Sequence, residues 1–224
     1  TMKVTDWIMY LAAPGVFALT AASVSSFGVS MFEGVWRYFL VLVLGVIIQF
    51  FFIYPMMLKI FSKVPVGKLY TAITEAIMVA FGTASSSATL PLTITCCEKR
   101  GISSKICSFV LPLGATLNMD GTALMQTVAV IFLAQTYGIE LSLVLILQIA
   151  FLAIIASSTC AGIPGAGLIT IALVLNGIGL TPEQLVIGFS FLFALERLAD
   201  MLRTTANVAS DAVVAAIIAD NENE

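Results

Sequence analysis

Residues 141–182 carry no charged side chain, yet their centre, ASSTCAGIPGAG (156–167), is a run of small residues around Pro164. Glycine and proline at this density do not suit a continuous helix. An apolar helix needs about 20 residues to cross a bilayer, and the arms flanking the cluster are too short to span alone. A re-entrant hairpin, half-way in and back, fits the stretch. Residues 76–97 repeat the pattern: they are uncharged and centred on GTASSSATLP, which ends at Pro91. Irregular backbone at membrane depth survives only where protein buries it or where it lines a wet cavity. Two such segments imply a built cavity.

Composition agrees with a lipid environment. Of 224 residues, 60% are hydrophobic and 10% charged, against about a quarter charged in soluble domains. The net charge of −3, with no basic stripe, argues against a nucleic-acid partner. The absence of histidine removes histidine metal sites and Ser-His catalytic pairs. Cys96, Cys97, Cys107 and Cys160 form no CxxC and sit in apolar or small-residue company, so they read as small buried hydrophobes. No signal-peptide layout, low-complexity segment or polar linker interrupts the chain, which predicts one membrane domain.

Two further uncharged runs, 7–32 and 38–58, are each long enough to span, with a kink at Pro14 and Gly15 in the first. Each hairpin is followed by an apolar segment with a polar interruption, NMDGT (118–122) after the first and DMLRTTAN (200–207) after the second. The predicted fold is therefore an all-α membrane protein. It has an inverted repeat of re-entrant hairpin plus broken transmembrane helix, at 65–137 and 141–219, preceded by two transmembrane helices. Paired interrupted segments in two halves are the sequence mark of a secondary transporter. The expected division is a scaffold-type helix at 1–30 and a transport core at 31–224. The core comprises a span at 31–62, a cytoplasmic hairpin at 65–104, a broken span at 105–137, an extracellular hairpin at 140–181 and a last span at 183–219. Threading puts Lys3, Lys59, Lys63, Lys68, Lys99, Arg100 and Lys105 on one side and Arg37 alone on the other. The positive-inside bias makes the first side cytoplasmic, with the acidic C-terminus there too.

Ionisable groups inside a bilayer are costly and functional by default. Here they are Asp120, Glu196, Arg197, Asp200, Arg203 and Asp211. For Glu196 and Arg197, pairing with each other for structure is an equal alternative. Asp200, Arg203, Thr204, Asn207 and Asp211 recur every three or four residues and form one helical stripe. Arg203 can grip a carboxylate with two hydrogen bonds, Asp200 an ammonium, and Asn207 a second carboxylate. That leaves Asp211 for a cation. NMDGT offers oxygen donors from Asn118, Asp120 and carbonyls unwound at Gly121, which suit an alkali ion. The clusters Ser85–Ser87 and Ala161–Gly167 offer backbone N–H groups at half-helix starts, where carboxylates bind.

The strings SSSATLP (85–91), LPLGATLNMDGTAL (111–124), AGIPGAG (161–167) and DMLRTTANVASD (200–211) closely resemble the glutamate transporter family, the dicarboxylate/amino acid:cation symporters. The resemblance covers nearly the whole chain but only the C-terminal half of the family's length. It implies sodium-coupled symport of L-aspartate or L-glutamate by an elevator motion, with the outer hairpin as gate. It also implies a homotrimer when the full scaffold is present, in a plasma or cell inner membrane. Residue by residue, it implies that substrate meets Ser86, Thr122, the Ile163 carbonyl, the Gly167 N–H, Asp200, Arg203, Thr204 and Asn207. One sodium would sit among Gly114, Asn118, Asn207 and Asp211. A second would use carbonyls of Thr116, Ser157, Ser158 and Cys160. A third would use Asn118 and Asp120 with a span that precedes this chain in the family.

Three departures sharpen the expectation. The family's archaeal members carry an arginine just before the hairpin serines, here Ala84, and its animal members carry one after the stripe aspartate, here Met201. Arg197, three residues before Asp200, is expected to replace it. The animal family's proton-carrying glutamate is here Gln126, which cannot titrate, so sodium coupling without proton counter-transport is expected. Arg203 disfavours a neutral amino acid carrier, and Asp200 disfavours a C4-dicarboxylate carrier. An intramembrane aspartyl protease would need two close carboxylates sharing a proton, and the neighbouring Asn118, Arg203 and Thr204 suit ion and carboxylate binding better. A channel would need a lined continuous pore.

Overall fold

The computed structural model describes residues 31–222, together with Phe17, Ala18, Ala21 and Ser25. The expected first helix at 1–30, with its kink at Pro14 and Gly15, lies outside the described residues. Every described element is helical.

The first is a continuous run of α1 (Met31–Ile48), a π turn (Gln49–Ile53) and α2 (Tyr54–Phe61). Pro55 lacks the N–H that a regular ladder needs, and the wider π turn just before it absorbs the defect. From Gly34 to Phe61 this run is 28 residues, about 42 Å of helix and more than enough for a bilayer. One face buries Tyr38, Leu42, Val46, Tyr54 and Leu58, while Trp36, Leu44, Phe51 and Phe52 are exposed. An apolar outer face on this scale is what lipid or further protein covers.

Two helical hairpins follow. α3 (Val66–Thr83) and α4 (Ser86–Lys99) form the first, and α7 (Leu143–Ser158) and α8 (Ala166–Asn176) the second. The first tip turns at Ala84, a left-handed residue with φ of 53°. Ser85 then caps α4, accepting from Ala88 N at 3.1 Å. The second tip turns through Gly165, whose φ of 80° favours glycine. The tips meet: Gly162 O accepts from Ser87 N at 3.0 Å and from Ser85 Oγ at 2.8 Å.

Between the hairpins, α5 (Ser104–Leu117) and α6 (Asp120–Thr136) are one span interrupted at Asn118 and Met119. Both residues leave helical geometry, with ψ of 69° and 52°. The expected break in the last span is not there: α9 (Pro182–Glu222) is a single helix of 41 residues. From 189 onward it contains neither glycine nor proline. Its hydroxyl residues bond back to their own helix, Thr204 to Asp200 O at 2.7 Å and Thr205 to Leu202 O at 2.6 Å. Polar residues alone do not unwind a helix when its backbone groups stay paired. The two halves therefore share the hairpin but not the broken helix.

α9 runs through two apolar cores. Its C-terminal half packs Val208, Ala212 and Val213 among α2, α3, α4 and α5. Its N-terminal half packs Phe191, Leu192 and Ala199 among α1, α6, α7 and α8. The polar stripe lies where the two meet.

Candidate functional site

The break at Asn118–Met119 exposes backbone donors that α9 then satisfies. Asn207 Oδ1 accepts from Gly121 N at 2.8 Å and from Thr122 N at 3.3 Å. Asn207 Nδ2 donates to Thr122 Oγ1 at 3.0 Å and sits 3.2 Å from Met119 Sδ. One amide thus fills the first turn of α6, which resolves the buried-donor problem at a helix start. Gly121 allows the approach, because a Cβ there would run into the carbonyl of Arg203 and the side chain of Ala206.

Arg203 is 2% exposed and Asp200 1%. They pair with each other across one turn. A second guanidinium nitrogen of Arg203 donates to Thr122 Oγ1 at 2.8 Å, and Arg203 Nε, buried, has no hydrogen-bond partner. Nε faces the second hairpin: a Cβ on Gly167 would lie 3.1 Å from it. The other Asp200 oxygen, Oδ2, accepts from Gly165 N at 2.9 Å. The acid and the base of the stripe both point at the second hairpin's tip, where α8 begins without a side-chain cap.

Of the other expected substrate residues, Thr122 and Thr204 bond to the pair, whereas Ser86 and Ile163 belong to the two hairpin tips. Thr122 and Thr204 are fully buried, and Ser86 is buried at the start of α4. Ile163 projects outward, 54% exposed, and its carbonyl accepts from Ala166 N at 3.3 Å.

A second polar group surrounds the two remaining carboxylates. Half-buried Asp120 is met by four donors: Tyr54 Oη at 2.7 Å and Gln49 Nε2 at 3.5 Å on one oxygen, Ser210 Oγ and Gly121 N, both at 2.9 Å, on the other. Buried Asp211 accepts from Asn118 Nδ2 at 2.9 Å. Gly114 lies flush against it, since a Cβ would strike the Asp211 carboxylate. A cavity of about 300 Å³ opens beside Gly114, Asn118 and Asp211, walled by Phe109, Leu113, Leu117, Val214 and Ile218. The oxygens here are carboxylate, amide, hydroxyl and carbonyl, a hard mixed set suited to an alkali ion.

The carbonyl group expected at Thr116, Ser157, Ser158 and Cys160 falls on two neighbouring elements, the end of α5 and the end of α7 with the turn that follows. Ser157 and Cys160 are buried, Thr116 and Ser158 exposed. The Ser157 carbonyl already accepts from Cys160 N at 3.0 Å. Gly162 of the same turn packs on Ala115 O at the end of α5, where a Cβ would come within 2.9 Å.

Arg197 does not pair with Asp200 or with Glu196. It is exposed and donates to Gly82 O at 3.4 Å, near the first hairpin's tip, while Arg203 supplies Asp200's ion pair. Sequence reasoning missed Gln49, Tyr54 and Ser210. Ser210 was within reach, standing three residues after Asn207 on the same stripe. Tyr54 and Gln49 lie in an apolar run, and nothing local marks them as partners of Asp120.

Known proteins resemble this chain along nearly its whole length. The family model described as the sodium:dicarboxylate symporter family matches residues 1–221. A Caenorhabditis elegans protein named "Putative sodium-dependent excitatory amino acid transporter glt-4" is 37% identical over 222 residues, covering 97% of this chain and 44% of the relative. The rat neutral amino acid transporter B(0) is 36% identical over 221 residues, 97% of this chain and 39% of the relative. Human excitatory amino acid transporter 1 is 34% identical over 220 residues, 97% and 40%. The chain thus spans less than half the length of the curated relatives it matches. With a family match along nearly its whole length, the chain belongs to the sodium:dicarboxylate symporter family.

Proposed function

We propose that this chain forms the substrate- and ion-binding core of a sodium-coupled carrier of acidic amino acids, L-aspartate or L-glutamate. The observation that carries the reading is the buried pair Asp200–Arg203, aimed at the second hairpin's tip with Thr122, Gly165 and Gly167 around it. A zwitterion with an acidic side chain exchanges partners with this pair. Its ammonium takes Asp200 and a carboxylate takes the fork of Arg203, so each buried charge keeps a counter-charge. Ser86, the Ile163 carbonyl, the Gly167 N–H, Thr204 and Asn207 complete the substrate site in this proposal.

Sodium is the co-transported ion. The residues present suit it: Gly114, Asn118, Asn207 and Asp211 around one position, Asn118 and Asp120 at another, and the carbonyls of Thr116, Ser157, Ser158 and Cys160 at a third. The second hairpin, whose tip touches both the stripe and the first hairpin, serves as the gate. Both hairpins are re-entrant in this reading, the first from the cytoplasm and the second from outside, with the C-terminus cytoplasmic. The core moves as an elevator past a scaffold, within a homotrimer in a plasma or cell inner membrane.

A second reading has its own support, because one relative is named as a neutral amino acid transporter. Arg203 argues against it: a buried guanidinium facing a neutral side chain would be left short of an acceptor. Competition of labelled aspartate uptake by glutamate and by serine, with and without sodium, tests the assignment.

A further inference from the structure

Asp120 and Asp211 come from different helices, yet an unbroken chain of hydrogen bonds joins them. Ser210 Oγ lies 2.9 Å from Asp120 Oδ1 and accepts from Asn118 Nδ2 at 2.9 Å. The same Asn118 nitrogen donates to Asp211 Oδ1 at 2.9 Å. With Asp211 ionised the amide must donate to it, because an ionised carboxylate only accepts. Ser210 has one proton to give. It can go to Asp120 or to Asn207 O, also 2.9 Å away. The hydroxyl is therefore a two-position rotor, 5% exposed, between the two carboxylates.

We infer that Ser210 couples the two cation positions, at Asp120 and at Asp211. This rests on the proposal above that both take sodium. For Asn118 to offer its amide oxygen to an ion at either carboxylate, the amide must turn over. Turning breaks both bonds of Nδ2 at once, the one to Asp211 and the one to Ser210. Released from Asn118, the Ser210 hydroxyl turns its proton to Asn207 O, and its oxygen then faces Asp120 as a neutral ligand instead of a donor. An ion at Asp211 thus clears a competing proton from Asp120, and an ion at Asp120 has already turned the amide for Asp211. Each ion lowers the work of binding the other, which is positive coupling between two sites. Without the Ser210 hydroxyl, the turn of Asn118 no longer moves a proton at Asp120, and only the shared amide links the two positions.

The test uses the protein as the cell makes it, purified in detergent without any amino acid. Equilibrium binding of radioactive sodium is measured as a function of sodium concentration, with choline holding ionic strength. Ser210→Ala replaces one small helical residue by another among Ala206, Ala209 and Ala212, and Ser210→Thr keeps the hydroxyl. The wild-type protein binds with a Hill coefficient well above one. In Ser210→Ala the coefficient falls towards one and half-saturation moves by roughly tenfold, the scale of one hydrogen bond to a charged group, while Ser210→Thr retains the wild-type steepness. Wild-type steepness in Ser210→Ala, or a wild-type coefficient of one, overturns the coupling and leaves the sodium assignment standing. No saturable sodium binding in the wild type overturns both.

Discussion

The Arg203 guanidinium joins two elements: one of its terminal nitrogens pairs with Asp200 one turn earlier on α9, and the other donates at 2.8 Å to Thr122 Oγ1 on α6. Both acceptors and Arg203 itself are buried. A charge in this setting is held by geometry as well as by Coulomb attraction, and a lysine cannot copy a planar fork. Arg203→Lys is expected to weaken binding of acidic amino acids by at least about tenfold, with serine competing relatively better. Arg203→Ala leaves Asp200 buried without its partner and lowers stability by about 3–5 kcal/mol. Asp200→Asn in the same chain restores part of that loss. Thermal unfolding of the three variants and uptake competition check both parts.

Two glycines separate stability from ion binding. At Gly121 an added methyl meets the Arg203 backbone carbonyl, which cannot swing away, whereas at Gly114 it meets the end of the Asp211 side chain. Gly121→Ala is expected to lower stability by about 1–3 kcal/mol through overpacking. Gly114→Ala is expected to fold, turn the Asp211 carboxylate, and raise the sodium needed for half-maximal uptake several-fold. Equal unfolding temperatures for the two variants would contradict this.

Much of this arrangement is readable in the sequence, and the reasons are local. Small residues, Pro91 and Pro164 mark the two hairpins, and NMDG marks the break between α5 and α6, because glycine and proline change what the backbone can do at their own positions. The stripe from Asp200 to Asp211 is readable because helical spacing alone places it on one face. The continuity of α9 is not readable in this way: DMLRTTAN is as polar as NMDGT, but only NMDGT contains a glycine. The pairing of Asp200 with Arg203 rather than Arg197, and the contact of Tyr54 with Asp120 over 66 positions of sequence, depend on tertiary packing. No periodicity encodes them.

Tyr54 tests that long-range contact. Its hydroxyl donates at 2.7 Å to Asp120 and lies 3.2 Å from Ala206 O. Tyr54→Phe keeps the ring, which packs edge-on against Phe50, and removes only the donor. Stability in sodium-free buffer is expected to fall by about 1.5–3 kcal/mol, the range for a hydrogen bond to a charged group. Saturating sodium recovers more stability in this variant than in the wild type, because the ion replaces the missing donor. An unchanged unfolding curve would show that the contact contributes nothing.

Gln126 bears on proton coupling. It is fully buried and its amide donates to Gly167 O at 3.1 Å and to Thr170 Oγ1 at 2.6 Å, tying α6 to the second hairpin. An amide makes these bonds at every pH. Wild-type uptake is therefore expected to be insensitive to this position's protonation across the neutral range. In Gln126→Glu only the protonated acid can donate to the carbonyl, so uptake falls as pH rises. A wild-type uptake that follows pH and loses this dependence in Gln126→Ala would refute the assignment.

One binding measurement decides whether this chain holds an acidic amino acid together with sodium. Isothermal titration of the purified protein with L-aspartate, L-glutamate and L-serine is carried out in sodium and again in choline. Heat of binding is expected for the two acids in sodium only, and none for serine. Serine binding as tightly as aspartate, or aspartate binding equally well in choline, would contradict this expectation.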